Sequence, residues 1–398
     1  MCAELNFSGK RNRSDILKDM FVFSPIIIKG SALIYGDNFN AMSSLVNGNM
    51  KGKIDLVYID PPFNTNQNFL MSEERVGTIS RAANGIVAYS DNKSLDEYLA
   101  FIRDRLVAIH ELLSEKGSLY LHIDNKVGHY IKIILDEIFG CDNFKNDITR
   151  KKSNPKNFKR RAYGNQKDTV LFYSKNKDKN IWNEITVQKS GKDLETSFRK
   201  IDNNGRRYTT VPVHAPGETQ NGETGLAWKG MLPPKGRHWR VKPAELDRLD
   251  NEGLIEWSKN GVPRLKKYAD EHKGNKIQDI WSFIDPQNPN YPTEKNLKMI
   301  EGIILQSSNE NSIVLDCFAG GGTTLLAASN TKRTFIGIDN SQCSIRAIKK
   351  RLEGISFDFI DAKTYADNDA ELTPKNLFNQ AKSYDLFSYE EQLLEVIN

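Results

Sequence analysis

The sequence predicts an α/β protein with a largely parallel sheet, into which one basic, aromatic segment is inserted. Three observations carry this expectation. Short apolar runs end in an acid or a glycine turn, as in KIDLVYID, SLYLHID and SIVLDCFAG. Amphipathic helical stretches alternate with those runs. Between about Cys141 and Asp285 the alternation stops, and Gly, Pro, Lys, Arg, Trp and Tyr dominate.

In chain order, SALIYGDNFNAMSSL reads as a strand, a turn at Gly36, Asp37 and Asn38, and a helix start. KIDLVYID is a second strand that ends at Asp60 and runs straight into Pro61 and Pro62. The stretch from Thr65 to Ser94 is polar and long for a loop, which predicts a lid. From Leu95 onward Phe101, Ile102, Leu106, Ile109, Leu112 and Leu113 share one helical face, with Gly117 expected as the cap. SLYLHID then forms a strand to Asp124, and a second amphipathic helix runs to about Phe139. Within the insertion one helix is expected near Pro243 to Glu252. Beyond it, YPTEKNLKMIEGIILQSS, GTTLLAASN and SQCSIRAIKKRL read as helices, alternating with the strands SIVLDCFAG and RTFIGID. A terminal helix is expected over EEQLLEVI.

The chain has 398 residues, 38% of them hydrophobic, enough for one large split domain or two domains. It lacks an 18-residue apolar run and an apolar leader, so no membrane contact and a cytoplasmic location are expected. Cys2, Cys141, Cys317 and Cys343 are scattered, and the six histidines have no ligand spacing. No metal site and no disulfide framework are therefore expected. The formal charge is only +5, yet between Lys145 and Lys179 twelve Lys or Arg face three Asp. That run, RKKSNPKNFKRR at its centre, is either a solvated loop or a phosphate-binding surface.

Two segments carry chemistry. In VYIDPPFN, a buried strand delivers an acid to solvent, and two prolines then fix φ and remove two donors, leaving a stiff chain rich in acceptors. In VLDCFAGGGTTLLAA, Gly320, Gly321 and Gly322 allow close backbone approach after a strand, and the helix that follows offers free N–H groups. Asp339 ends the next strand 19 residues after Gly320, where an acid can bind ribose hydroxyls. No Lys follows the glycines, and Leu325 stands where a dinucleotide fingerprint needs glycine. An adenosyl cofactor without a pyrophosphate fits better. His122 and Asp124, at a strand end, face the cleft by position.

These residues also carry a resemblance. DPPFN at Asp60 to Asn64 and F-x-G-x-G at Phe318 to Gly322 resemble the catalytic and cofactor motifs of S-adenosylmethionine-dependent amino-methyltransferases acting on DNA. Their order is similar to that of the β class of N6-adenine enzymes, which includes modification subunits of type III restriction systems. YPTEKN resembles the P-T-x-K-P segment of that class, with Asn296 in place of the last proline, and GDN at Gly36 to Asn38 resembles its usual start. Cys317, Gly321 and Asp339 stand where proline, serine and glutamate are frequent. The likeness covers roughly residues 30–140 and 275–352.

The resemblance implies a Rossmann-like methyltransferase sheet with circularly permuted motif order and an inserted target-recognition region. The domains it suggests are a polar segment 1–30, a catalytic half 31–140, a DNA-reading insertion 141–285, a cofactor half 286–362 and a tail 363–398. Asp60, Pro61, Pro62 and Phe63 would be catalytic: the Asp60 carboxylate and the Pro61 carbonyl each accept an N6–H bond from adenine, and Phe63 stacks on the flipped base. S-adenosylmethionine would be held by Asp37, Asp60, Thr293, Lys295, Asp316, Phe318, Gly320, Gly322, Thr323, Thr324 and Asp339. Double-stranded DNA would meet Arg150, Lys151, Lys152, Arg160 and Arg161 at its phosphates. Arg206, Arg207, Arg237, Trp239 and Arg240 suit base edges. A restriction subunit and a second copy of the chain are the implied protein partners. The rival readings are a cytosine-N4 enzyme, an RNA adenine enzyme, and a non-catalytic DNA-binding relic of the fold.

Overall fold

A computed structural model describes residues 3–62, 68–71, 86–90, 93–155, 159, 161–188, 191–219, 221–286, 289, 291 and 294–363. The chain forms two compact units, Met1–Glu184 with Gln278–Asn398, and Ile185–Ile277.

The first unit is built on nine strands: β1 (Ala32–Tyr35), β2 (Ile54–Ile59), β3 (Leu113–Ile123), β4 (Phe144–Lys151), β5 (Lys167–Ser174), β6 (Ile280–Trp281), β7 (Ile313–Asp316), β8 (Thr334–Asp339) and β9 (Asp358–Asp361). They lie side by side in the order β6-β4-β5-β3-β2-β7-β8-β1-β9. The run from β3 through β2, β7, β8 and β1 to β9 is parallel, while β5 is antiparallel to both β3 and β4. Parallel central strands need cover on both faces, which accounts for the complete burial of Leu56, Val57 and Ile59. The motif order is permuted along the chain, yet β2 and β7 are neighbours, with Leu56 opposite Val314 and Val57 opposite Leu315. The two motifs therefore leave the sheet at the same edge.

The helices are α1 (Arg13–Met20), α2 (Asn38–Leu45), α3 (Leu95–Leu112), α4 (Gly128–Phe139), α5 (Leu297–Ser307), α6 (Thr323–Asn330) and α7 (Gln342–Arg351). Ser94 and Glu97 cap α3 reciprocally. Asn296, the residue that departs from the resemblance, caps α5 by accepting from the Met299 N–H at 3.2 Å. Helix α3 ends at Leu112 and β3 begins at once, so Gly117 is no helix cap. It sits in a bulge where Ile54 faces Leu113 but Leu56 already faces Ser118. A Cβ at Gly117 would lie 2.9 Å from the Ile54 carbonyl oxygen, so the close strand approach selects glycine there.

Three further expectations change. The polar segment 1–30 carries α1, whose Ile16 and Met20 belong to the main core, and its Arg11 and Arg13 pair with Asp104 and Glu111. The insertion 141–285 is too wide: β4, β5 and β6 complete the main sheet, so only Ile185–Ile277 forms a separate unit. Antiparallel strands bonded to a parallel sheet lose the strand–helix alternation that made the rest legible. Cys141 is disulfide-bonded, although chain spacing predicted no bridge.

The second unit has a four-stranded antiparallel sheet: Lys200–Ile201, Arg207–Pro212, Pro263–Tyr268 and Ile255–Trp257. Its core gathers Val213, Trp228, Trp239, Leu246 and Ile255, the last two from or beside the helix Pro243–Asn251. The EEQLLEVI helix and the tail 363–398, apart from Lys363, lie outside the described residues. So does most of Thr65–Ser94, within which Asn68–Met71 and Ile86–Ser90 pair antiparallel.

Candidate active site

Strand β2 delivers Asp60 to the edge of the sheet between β3 and β7. Pro61 is buried and Pro62 half-buried directly behind it. The two oxygens of Asp60 differ. Oδ2 is bonded to the Lys295 ammonium, whose side chain is itself buried. Oδ1 is buried and, among the described residues, has no hydrogen-bond partner. Leaving a buried carboxylate oxygen without a donor costs on the order of 1–3 kcal/mol, so the atom marks a place where a donor belongs. Lys295, expected as a cofactor contact, thus grips the Asp60 carboxylate. Phe63 and Thr293 lie outside the described residues.

The glycine turn is adjacent. The Asp316 carboxylate accepts from the Phe318 N–H at 3.0 Å and from the Thr324 hydroxyl at 2.6 Å. Burial pushes its pKa up to about 7, against those two bonds and reinforced by the charges of Asp60 and Asp339. Asp339 accepts from the Gly320 N–H at 2.8 Å and the Ser341 N–H at 2.9 Å, and burial raises its pKa too. Gly322 adopts φ +76°, the left-handed region, to start α6. A Cβ on Gly321 would come within 2.6 Å of the Tyr291 side chain. Phe318 packs edge-on against Phe101 at 6.2 Å. Thr323 accepts from Arg351 at 2.6 Å, and Arg351 pairs with Glu294 at 2.6 Å.

Asp37, expected to hold the cofactor, makes structural contacts here. Its Oδ1 caps α2 through the Phe39 and Asn40 N–H groups, and its Oδ2 pairs with Arg105 at 2.9 Å. Arg105 also donates to Asn38, whose amide donates to the Cys317 carbonyl at 2.8 Å. The GDN segment therefore holds the glycine turn from behind.

His122, fully buried, was noted only for its position, and sequence gave no sign of its partners. Its Nδ1 lies 2.9 Å from the Tyr58 hydroxyl and 3.9 Å from Asp60 Oδ1, and its Nε2 lies 3.1 Å from Asp168 Oδ2. Asp168 also meets Arg150 at 3.4 Å and Lys152 at 2.5 Å. Burial would raise the Asp168 pKa, but the bonds from His122 and Lys152 outweigh it and hold it below the usual carboxylate range.

The expected DNA contacts divide. Arg150 is no phosphate binder: it is completely buried, bonded to Asp168, Asp285 and the Phe283 carbonyl. Trp239 reads no base edge, because it is buried in the second unit's core and donates to the Leu226 carbonyl at 2.8 Å. Both were misassigned because residue type does not reveal burial. Lys152 is tied to Asp168, Arg207 to Glu195, and Arg206 to Asp270 and Glu271 while stacking on Tyr268. Lys151, Arg161, Arg237 and Arg240 are exposed. Arg160 lies outside the described residues.

The N6/N4 DNA methylase family pattern matches residues 54–350, spanning β2 with Asp60 and the glycine turn. The chain belongs to that family. It is 38% identical over 363 residues to the type II methyltransferase M.EcaI of Enterobacter cloacae, an overlap of 87% of this chain and 77% of that one. With M.KpnI of Klebsiella pneumoniae it shares 27% over 79% of each chain. With the Mod subunit of the type III restriction-modification enzyme EcoP15I of Escherichia coli it shares 25%, over 88% of this methylase and 63% of that subunit. Among solved structures, the M1.HpyAVI–SAM complex overlays with a TM-score of 0.41 at 20% identity, over 81% of this chain and all of that one. The cytosine-N4-specific PvuII DNA methyltransferase gives 0.42 at 13%, over 84% and 98%. Among the described residues of the methylase no helix is long and apolar enough to cross a membrane, and no cluster of His, Cys, Asp or Glu could hold a metal.

Proposed function

We propose that this methylase transfers a methyl group from S-adenosylmethionine to N6 of an adenine flipped out of duplex DNA. The single observation that carries the reading is Asp60 Oδ1, a buried carboxylate oxygen beside the glycine turn that lacks a donor among the described residues. An exocyclic amine supplies that donor. Its lone pair is delocalised into the ring, and an acceptor held at one N–H favours the pyramidal nitrogen that can attack. Lys295 anchors the other oxygen, and Pro61 and Pro62 stiffen the chain after it, so the acceptor is oriented before the base arrives. The carboxylate supports adenine over cytosine N4, whose enzymes usually carry serine at this position. Phe63 is proposed as the stacking face, worth about 1–3 kcal/mol against a flipping cost of a few kcal/mol.

The cofactor fits the residues present. The turn Phe318 to Gly322 brings bare backbone to the edge of the sheet, and Asp339, Asp316 and Asp60 make that edge acidic, suited to ribose hydroxyls and a cationic sulfur. When bound, S-adenosylmethionine supplies a methyl group on a sulfonium. Asp316 and Asp339 keep the turn in shape, and Thr324 holds Asp316.

Exposed Lys151, Arg161, Arg237 and Arg240 are proposed to meet DNA, with Ile185–Ile277 supplying site choice. The type III relatives support a restriction subunit as a partner, and pairing with a second copy is the remaining proposal of the same kind. The test is labelled methyl transfer to unmethylated genomic DNA, with nucleoside mass analysis and Asp60→Ala alongside. N6-methyladenine from the wild type alone supports the reading; N4-methylcytosine or no product overturns it.

A further inference from the structure

The polar cluster behind Asp60 is larger than holding one carboxylate requires. Six ionisable side chains, Asp60, His122, Arg150, Lys152, Asp168 and Lys295, are linked there, with His122 at the centre. Burying so many charges costs desolvation, and a well-packed apolar cluster would serve a scaffold as well. What separates this cluster from a scaffold is the way one ring nitrogen is aimed.

A carboxylate only accepts, so His122 Nε2, 3.1 Å from Asp168 Oδ2, carries the hydrogen. Nδ1 then holds a lone pair, and the Tyr58 hydroxyl at 2.9 Å donates to it. Burial holds the imidazole below its ordinary pKa, and keeps the Tyr58 hydroxyl far above its own, so both groups rest neutral. The basic nitrogen therefore faces Tyr58 and, at 3.9 Å, the Asp60 oxygen that has no hydrogen-bond partner among the described residues. This is the pairing of a buried carboxylate with an oriented imidazole that prepares a base.

We propose that His122, oriented by Asp168, takes from Asp60 the proton that the target amine loses. The inference rests on the amine methylation proposed above and deepens it. As the nitrogen–methyl bond forms and the methyl–sulfur bond breaks, the latter's electron pair stays on sulfur and the nitrogen gains positive charge. One N–H proton then passes to Asp60 Oδ1, the oxygen that Lys295 leaves open. From Oδ1 it moves to His122 Nδ1, while the Tyr58 hydroxyl turns so that its oxygen accepts from the new N–H. The imidazolium is held by Asp168, and the proton returns to water as the product leaves. Asp60 is thereby ionised for the next base. His122 acts through Asp60 and does not touch the amine, so it is a positioning residue. Among the described residues, the groups facing it are Tyr58 of β2 and Asp60 just beyond it, Asp168 of β5 and Lys295 before α5, with Arg150 of β4 and Lys152 just past its end reaching it through Asp168.

Two measurements on the full chain test this. Nitrogen NMR of histidine-labelled protein should find His122 protonated at Nε2 and bare at Nδ1, with Asp168→Asn mixing the two tautomers; a bare Nε2 in the wild type overturns the proposal. In single turnovers with S-adenosylmethionine and unmethylated duplex DNA, His122→Gln keeps an amide N–H for Asp168 but cannot carry a proton. It should slow transfer about 100-fold at neutral pH and regain rate as pH rises, with DNA and cofactor affinity unchanged. His122→Asn serves if the Gln variant melts early. Rates within about threefold of wild type at every pH overturn this inference alone. A wild type that methylates no amine overturns the underlying reading and this one with it.

Discussion

Two aspartates end adjacent parallel strands at the same edge of the sheet, and they are treated in opposite ways. Asp316 has a donor on each oxygen, one from the backbone and one from Thr324, and burial lifts its pKa to about 7. Asp60 has one oxygen gripped by Lys295 and the other buried with no partner among the described residues. The same residue type at neighbouring strand ends is therefore fully bonded in one strand and left with an open oxygen in the next, the one proposed to meet the amine. Satisfaction of hydrogen bonds, more than burial, separates the two roles.

Substitutions should break the comparison in order of size. Asp60→Asn keeps the shape and removes the charge; methyl transfer should fall about 10³-fold in single turnovers, with DNA affinity unchanged. The contrast between buried and exposed arginines comes next. Arg150→Ala strips Asp285 of its guanidinium partner and leaves Asp168 with Lys152 and His122 alone, and should cost about 3–5 kcal/mol in urea unfolding, an effect on folding and not on DNA. The Asp316 pair sharpens the comparison through pH. Its folded pKa is raised, so between about pH 4 and pH 7 the native state keeps a proton that the unfolded chain has released, and stability falls as pH rises. Asp316→Asn should flatten that slope in melting curves.

Smaller changes follow. Gly321→Ala pushes a methyl against Tyr291 and should weaken cofactor binding about tenfold by calorimetry, without moving the Asp60 chemistry. Lys151→Ala, on an exposed side chain, should leave stability alone and lower the salt dependence of DNA binding by about one counterion.

Sequence made the central strands legible because each is an apolar run closed by an acid or a glycine. The cap at Asp37 falls where the sequence placed a turn and a helix start. Where the reading failed, the deciding contact was remote in sequence. Gly117 looked like a cap because its role depends on Ile54, and the pairing of Lys295 with Asp60 was hidden because the partners lie 235 residues apart. Arg150 and Trp239 have the composition of nucleic-acid contacts and the environment of a core. His122 acquires its meaning only from the antiparallel strand carrying Asp168, which lay inside what the sequence marked as the insertion.

The ion pair between Lys295 and Asp60 joins parts of the chain that lie on either side of Ile185–Ile277. Each half brings its own strands to a shared sheet, and neither alone completes the carboxylate's surroundings. Severed between 185 and 277 and produced as two polypeptides, the protein should regain methyl transfer only on mixing.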